Sequence, residues 1–564
     1  VSDDSDATDA TTDWRRPGVA PMTDVLASDL RPVDESSEST PDSAAADDVF
    51  PQSVASGGPT PSGVVLWTRL DPEAYDPETP VRLDVATDGS FDDRIVTGVV
   101  PPDRIDADAD HTVRVDLDGE LAADTEYAYR FVHGEVATRT GRCRTLPAAD
   151  ASPESVRFAV LACQDYENGY YGALSHVAET DVDFLVHLGD IVYESAVAEF
   201  AAGDDPVAGR DLSLPSGAPL AETLADFRFV HRTYRRDRHF QRALEAHTLV
   251  AGWDDHAIAD DRYWDDTRDV PVFADHPRGH DHEFTTAVTS AGTRAWDEYV
   301  PVRADYDAEA DHLHDRFRLY RSLSFGDLLD LVVTDQRFYR DGPPRQALTL
   351  AGVTFGLGAD DDPGRSMLGE EQFEWFRDKL RSPSSRWLCW GSAVMTMPFR
   401  FGAGPLSVRP KAGATWDGFG VERDRVFAEL GAADPSVVTL SGDLHSYAAG
   451  TQVLGGAGGT PVGTEFMTPA VTSVSIAEGA GVARGLAGRL TRPLLRTLFP
   501  AMNPEMAFFD SHDWGYSVVE FTREECTYTA YAVDKTVDST DAERREVVRF
   551  RRTHDDPVPR RCSR

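Results

Sequence analysis

From Ser155 onward the chain alternates short apolar runs with helical stretches, and that alternation restricts it to a layered α/β architecture. "VRFAVLACQ" reads as a strand, "YYGALSHVAET" as a helix and "VDFLVHLGD" as a strand. Further strand-like runs are "HTLVAGWDD", "LLDLVVTDQ", "RWLCWGS" and "SVVTLSGD", and "LGEEQFEWFRDKL" is a helical stretch between two of them.

Five of these runs end in polar side chains, most of them able to bind a metal. "FAVLA" leads into Cys163-Gln164-Asp165-Tyr166, and "FLVHL" into Gly189-Asp190 with Tyr193 close behind. "LVAGW" leads into Asp254-Asp255-His256, "LLDLVVT" into Asp335 and Arg337, and "VVTL" into Ser441-Gly442-Asp443-Leu444-His445. Any one of these is an ordinary turn residue, since Asp and Gly commonly follow strands. Together they describe a site, because ligands in α/β sheets bind outside the carboxyl ends of the strands. Phenolate and thiolate suit a ferric-type ion, whereas the carboxylates suit Ca²⁺, Mg²⁺ or Mn²⁺. Asp190 stands where one carboxylate can bridge two ions, the arrangement that clamps phosphoryl transfer.

Upstream the texture differs. Residues 1–46 are rich in Asp, Ser, Thr and Ala and read as an acidic low-complexity arm. Over 47–150, "SGVVLWTRL", "VRLDVAT", "IVTGVV", "HTVRVDL" and "TEYAYRFVHG" predict a small all-β sandwich, closed by the Pro/Ala/Ser linker 146–155. Residues 155–535 are expected to form the catalytic domain and 536–564 a tail. "GGAGGT" and "EGAGVARGLAG" read as loops.

With 97 Asp and Glu against 55 Lys and Arg, the formal net charge is −42. Such a surface repels phosphate backbones, which argues against nucleic acid as a partner, and it fits adaptation to high salt. No apolar run reaches the ~20 residues needed to span a bilayer. No apolar segment follows Arg15-Arg16, so two readings stand: an extracellular or cell-surface protein whose leader has been removed, or a cytoplasmic one. Five widely spaced cysteines give no disulfide framework.

"GDIVYE", "GWDDH" and "SGDLH" stand in the order and spacing of metallophosphoesterase motifs. With "SVASGGPTPSGVVLWTRLDP", "TDQRFYR", "SMLGEEQFEWF", "WDGFGVERDR" and "EFMTPAVTS", the chain resembles the PhoD-type alkaline phosphatase/phosphodiesterase family from about Val49 to Phe521. The resemblance implies a four-layer αββα core similar to that of purple acid phosphatases, and a site holding Fe³⁺ and Ca²⁺. Carried over residue by residue, Cys163, Asp190, Tyr193 and His445 would hold the iron. Asp190, Asp255 and Asp443 would hold calcium, with Asp254 a weaker candidate. His256 would protonate the leaving oxygen or steady the transition state, and Asp165 and Asn168 would support the ligands by hydrogen bonds. Arg337 would meet substrate phosphate or pair with Asp335 or another acid.

The chain departs from that pattern at Ala257, Asp260 and Asp261, and at Glu505, where the family usually has histidine after Asn-Pro. The expected function is metal-dependent hydrolysis of phosphomonoesters, phosphodiesters or both, lipid diesters included. The alternative is a non-catalytic cell-surface binding protein on a degenerate phosphoesterase fold. His187 is expected to make a core hydrogen bond, and Cys389 to fill core. Trp253, Trp264 and Trp416 have the choice of walling the pocket or filling the core. The three histidines of "DHPRGHDHEF" read as a solvated loop within an insertion over 265–315.

Overall fold

The computed structural model describes residues 24–33, 41–196, 207–344, 362–382, 384–402, 408–410 and 413–563, with the backbone alone at 12–13, 347–350 and 353–356. Two large sheets organise the chain. The first has eleven strands, with Leu249–Ala251, Phe184–His187, Ser155–Leu161 and Gly515–Thr522 side by side near its middle. The second has eight, with Leu329–Val333, Trp387–Val394 and Ser436–Gly442 as parallel neighbours. Every residue of Phe184–His187, Leu249–Ala251, Leu329–Val333 and Trp387–Val394 is buried. Uninterrupted burial of this kind is expected of parallel strands covered on both faces.

The sheets pack face to face through aromatic contacts. Phe325 meets Phe158 and Phe184 edge-on, at centroid distances of 5.4 and 5.3 Å. Helices Gly172–Ala178 and Arg238–Ala246 pack on strands of the first sheet, and helix Gly420–Ala432 covers the second with Glu370–Arg381 beside it. The result is the mixed, layered α/β fold the alternation predicts.

The N-terminal β region is built into this architecture. Strands Val81–Ala86, Arg94–Val100, Glu126–His133 and Gly141–Arg144 form most of a separate five-stranded sheet. The opposing layer, Val54–Thr60, Gly63–Arg69 and Thr112–Asp116, is one edge of the eleven-stranded sheet, joined through the parallel pair Leu249 and Gly57. Val64, Leu66, Leu83, Val85, Val113 and Phe131 pack between the layers. At the other edge, Arg544–Thr553 pairs antiparallel with Glu525–Val533, so part of the segment expected as a tail extends the sheet. Of the N-terminal arm, Asp24–Leu26 pairs in parallel with Arg114–Asp116, while 1–11, 14–23 and 34–40 lie outside the described residues.

Two segments expected as loops contain helix. His282–Tyr299 begins inside "DHPRGHDHEF", where the Asp281 carboxylate caps the helix by accepting from Phe284 N at 3.3 Å. Gly485–Met502 is an 18-residue helix that starts inside "EGAGVARGLAG".

Arg114 ties the parts together. Its buried guanidinium donates to Asp24 Oδ1 at 2.7 Å and to Val302 O at 2.8 Å, and it lies 3.3 Å from Asp297 Oδ1. Arg114→Ala leaves two buried carboxylates without their cation. We expect the unfolding free energy to fall by ~3–5 kcal/mol in denaturant titration; a loss under about 1 kcal/mol would mean the network does not hold the N-terminal layer.

Candidate metal centre

The polar strand ends converge because two glycines let backbones approach. A Cβ at Gly189 would lie 2.6 Å from Asp254 Cβ and 2.9 Å from Asp254 N, so only glycine lets these two ends of the first sheet lie this close. A Cβ at Gly442 would lie 2.8 Å from Ala162 Cβ, where the second sheet meets the Cys163 turn. Beyond these points the chain turns sharply. Cys163, Asp190, Asp443 and His445 all take positive φ, between 48° and 65°. Non-glycine residues rarely hold that conformation, and those that do cluster at functional sites.

The side chains form an unbroken chain of donor groups. Cys163 Sγ lies 3.5 Å from Asp190 Oδ2, and Tyr193 Oη lies 3.4 Å from His445 Nε2. The His445 ring is oriented by Nδ1, which donates to Val474 O at 2.6 Å. Three sets of ligand atoms each fall within 4.8 Å of one another: Cys163, Asp190 and His445; Asp190, Asp255 and His256; and Asp254, Asp255 and Asp443. Asp190 belongs to the first two and Asp255 to the last two, so adjacent cation positions would share carboxylates. A fourth set, Asp255, Asp260 and Asp261, extends the acidic side, with Asp261 N donating to Asp255 Oδ2 at 3.0 Å.

Arg337 lies inside this cluster. Its buried guanidinium donates to Asp254 Oδ1, to Asp443 Oδ1 at 2.5 Å and to Ala414 O at 3.1 Å, and it is 3.3 Å from Asp255 Oδ2. Of its two expected roles, the structure shows the ion pair, with Asp254 and Asp443 as partners. Asp335 instead accepts from the backbone N–H groups of Arg337 and Phe338.

His256 stacks on Tyr193, with centroids 4.1 Å apart, and its Nδ1 donates to Glu194 Oε2 at 2.9 Å. Glu194 also accepts from Asp260 N at 2.7 Å. Sequence reasoning gave Glu194 no role, although it directly follows Tyr193. Asp165 and Asn168 brace the turn: Asp165 accepts from Glu167 N at 3.0 Å, and Asn168 donates to Thr472 O at 2.9 Å.

Other singled-out residues lie apart from these sets. Glu505 faces Arg400 at 3.5 Å. His187 is buried beside Gln164, and burial pushes its imidazole down to about 3, which keeps it neutral. Trp253 packs among Trp296, Phe317 and Phe338, Trp416 against Trp390, and Trp264 on His314. Among the described residues the histidines of 275–284 join no ligand set.

The electrostatics fit cations. Burial first, and the neighbouring Asp254 second, hold Asp190 well above the ordinary carboxylate range. Asp254 is pushed up to about 7 by burial, against the opposing pull of Arg337. Burial also raises the Cys163 thiol and the Tyr193 phenol. Burial opposes the charged form of His256, but Glu194 and then Asp190 carry its pKa well above the ordinary value. The Oδ1 of Asp190 and the Oδ2 of Asp254 are buried without a hydrogen-bond partner. Buried lone pairs of this kind are what a coordinated cation satisfies.

A two-sheet α/β sandwich whose strand ends gather carboxylates, imidazoles, a thiol and a phenol defines a metal-dependent phosphoesterase. The family model for the PhoD-like phosphatase matches residues 158–530, and that for its N-terminal domain matches 35–147. Alkaline phosphatase D of Bacillus subtilis (strain 168) is 30% identical over 433 residues, covering 75% of this chain and 69% of that protein. A solved structure of PhoD superposes with a TM-score of 0.77 at 26% identity, covering 92% of both chains. The chain belongs to the PhoD-like phosphatase family, and it is a phosphoester hydrolase.

Chelation should therefore destabilise the fold. Without cations, Asp190 and Asp254 bind protons more tightly folded than unfolded. Stability then falls as pH rises from about 4 through about 7. We expect chelated protein to lose melting temperature across that interval and metal-replete protein to hold it; identical pH profiles would contradict the assignment.

Proposed function

We propose that the chain hydrolyses phosphoesters with a ferric ion held by Cys163, Asp190, Tyr193 and His445 and calcium held by Asp190, Asp255 and Asp443, with Asp254 adjoining. The observation that carries this reading is the overlap of the three ligand sets at Asp190 and Asp255. The donor chemistry supports the division, since thiolate and phenolate favour a charge-accepting ion and carboxylates a hard one. Bound cations supply Lewis acidity, activation of water and neutralisation of charge at phosphorus.

The protein's own groups do the rest. Asp190 positions the two halves of the site by serving both, and Asp255 joins its set to the carboxylates on the calcium side. His256 holds a proton at each ring nitrogen in its charged form. Nδ1–H is committed to Glu194, and Nε2–H is the proton available to the departing alkoxide. Glu194 orients that ring and stabilises the imidazolium. The additional acids Asp260 and Asp261 stand beside Asp255 and His256, where they add negative charge on the approach of an anionic substrate. This charge favours substrates with fewer ionised oxygens, so we expect diesters to be turned over more readily than monoesters. Asp260→Asn/Asp261→Asn should then raise monoester kcat/KM relative to diester.

Two single variants test the assignment. Asp190→Asn should lose bound metal and activity together. His256→Ala should keep its metal content while kcat falls ~10²–10⁴-fold. Full activity in Asp190→Asn with unchanged metal content would refute the proposal.

A further inference from the structure

Helix Gly485–Met502 is unlike the rest of the surface. Asp and Glu supply 97 of the 564 residues, yet none occurs from 479 to 504, where four arginines do. Leu486, Leu490, Leu494 and Leu498 are 73%, 66%, 53% and 42% exposed. Their spacing of four puts them on one helical face, a stripe about 18 Å long at 1.5 Å per residue.

The opposite face already holds the helix in place. Phe499 is buried against Phe399 and Phe509, with Leu495 and Met502 packed beside them. Arg496 donates to Asp510 Oδ2 at 2.9 Å, and Arg492 pairs with Asp513. The leucine stripe lies off that packed face, and Arg489 and Arg484 are exposed beside it, the latter with its guanidinium 5.1 Å over the Trp514 ring. An outward row of large apolar residues with basic flanks and no acids is the pattern of a helix that lies in a membrane interface. The helix does not cross a membrane: no described helix is long and apolar enough.

A second copy of the chain fits this face poorly. Two-fold pairing would set one acid-free cationic segment against another. The other exposed large apolar residues among those described, Leu26, Ile95, Val537 and Val558, share no element, so they offer no matching stripe.

We propose that the outward face of helix Gly485–Met502 docks on an anionic lipid surface, with its leucines entering the headgroup boundary and Arg484 and Arg489 meeting lipid phosphates. The remaining acidic surface opposes approach only within about a Debye length, ~8 Å at physiological salt. The basic helix therefore decides the contact, and added salt should strengthen binding until it screens the two arginines.

The test is flotation of the full chain with phosphatidylglycerol/phosphatidylcholine vesicles, against vesicles of phosphatidylcholine alone. We expect binding to the anionic vesicles only. Leu490→Asp/Leu494→Asp should lower it about tenfold or more while hydrolysis of a small soluble phosphoester is unchanged. Arg489→Glu should weaken it without touching the stripe. Failure of the wild-type chain to float, or equal flotation of the double variant, would overturn the proposal. So would a dimer in sedimentation that the double variant dissolves, which would assign the face to a second copy.

Discussion

The structure depends on keeping several carboxylates out of water and close together. Asp190, Asp254 and Asp255 are almost wholly buried, Asp443 lies against them, and Arg337 and His256 are protein cations placed directly beside them. Like charges this close repel strongly at low dielectric, so the arrangement persists only with added positive charge or bound protons. That requirement explains why Arg337 is drawn into the cluster and why Glu194 is needed to hold His256 as its counterpart.

The backbone is arranged to meet the same requirement. Four site residues in left-handed conformation and two glycines at close backbone approaches are costly locally. They are tolerated because the strands before them are buried over their last four residues and fixed in register on both sides. The N-terminal layer adds to that rigidity: its strands continue the sheet that carries Cys163, Asp190 and Asp255, and Arg114 locks their far end to helix His282–Tyr299.

Much of the centre was legible because strand termini are local signals. An apolar run that stops at Gly-Asp or Ala-Cys announces both the strand and its polar end, so Cys163, Asp190, Tyr193, Asp255, Asp443 and His445 could be picked out as one set at successive strand ends. Glu194 could not, since a lone acid carries little information in a chain this acidic, and its role appears only through its contact with His256. The placement of Arg337 had the same difficulty: which acid it pairs with is set by strands far apart in sequence. The pairing of Leu249 with Gly57, which merges the two regions into one sheet, likewise has no local signature. Helix His282–Tyr299 was different, since Asp281 is an ordinary N-cap, but three histidines with Pro and Gly obscured it. Glycines at 485 and 488 hid the start of Gly485–Met502 in the same way.

The most direct test of the mixed metal centre is elemental analysis of the purified protein together with its visible absorption spectrum, repeated on Tyr193→Phe. The account predicts stoichiometric iron with calcium in the wild-type chain, and a phenolate-to-iron charge-transfer band that vanishes in the variant. Zinc or manganese in place of iron, or a band that survives the loss of the Tyr193 hydroxyl, would contradict it.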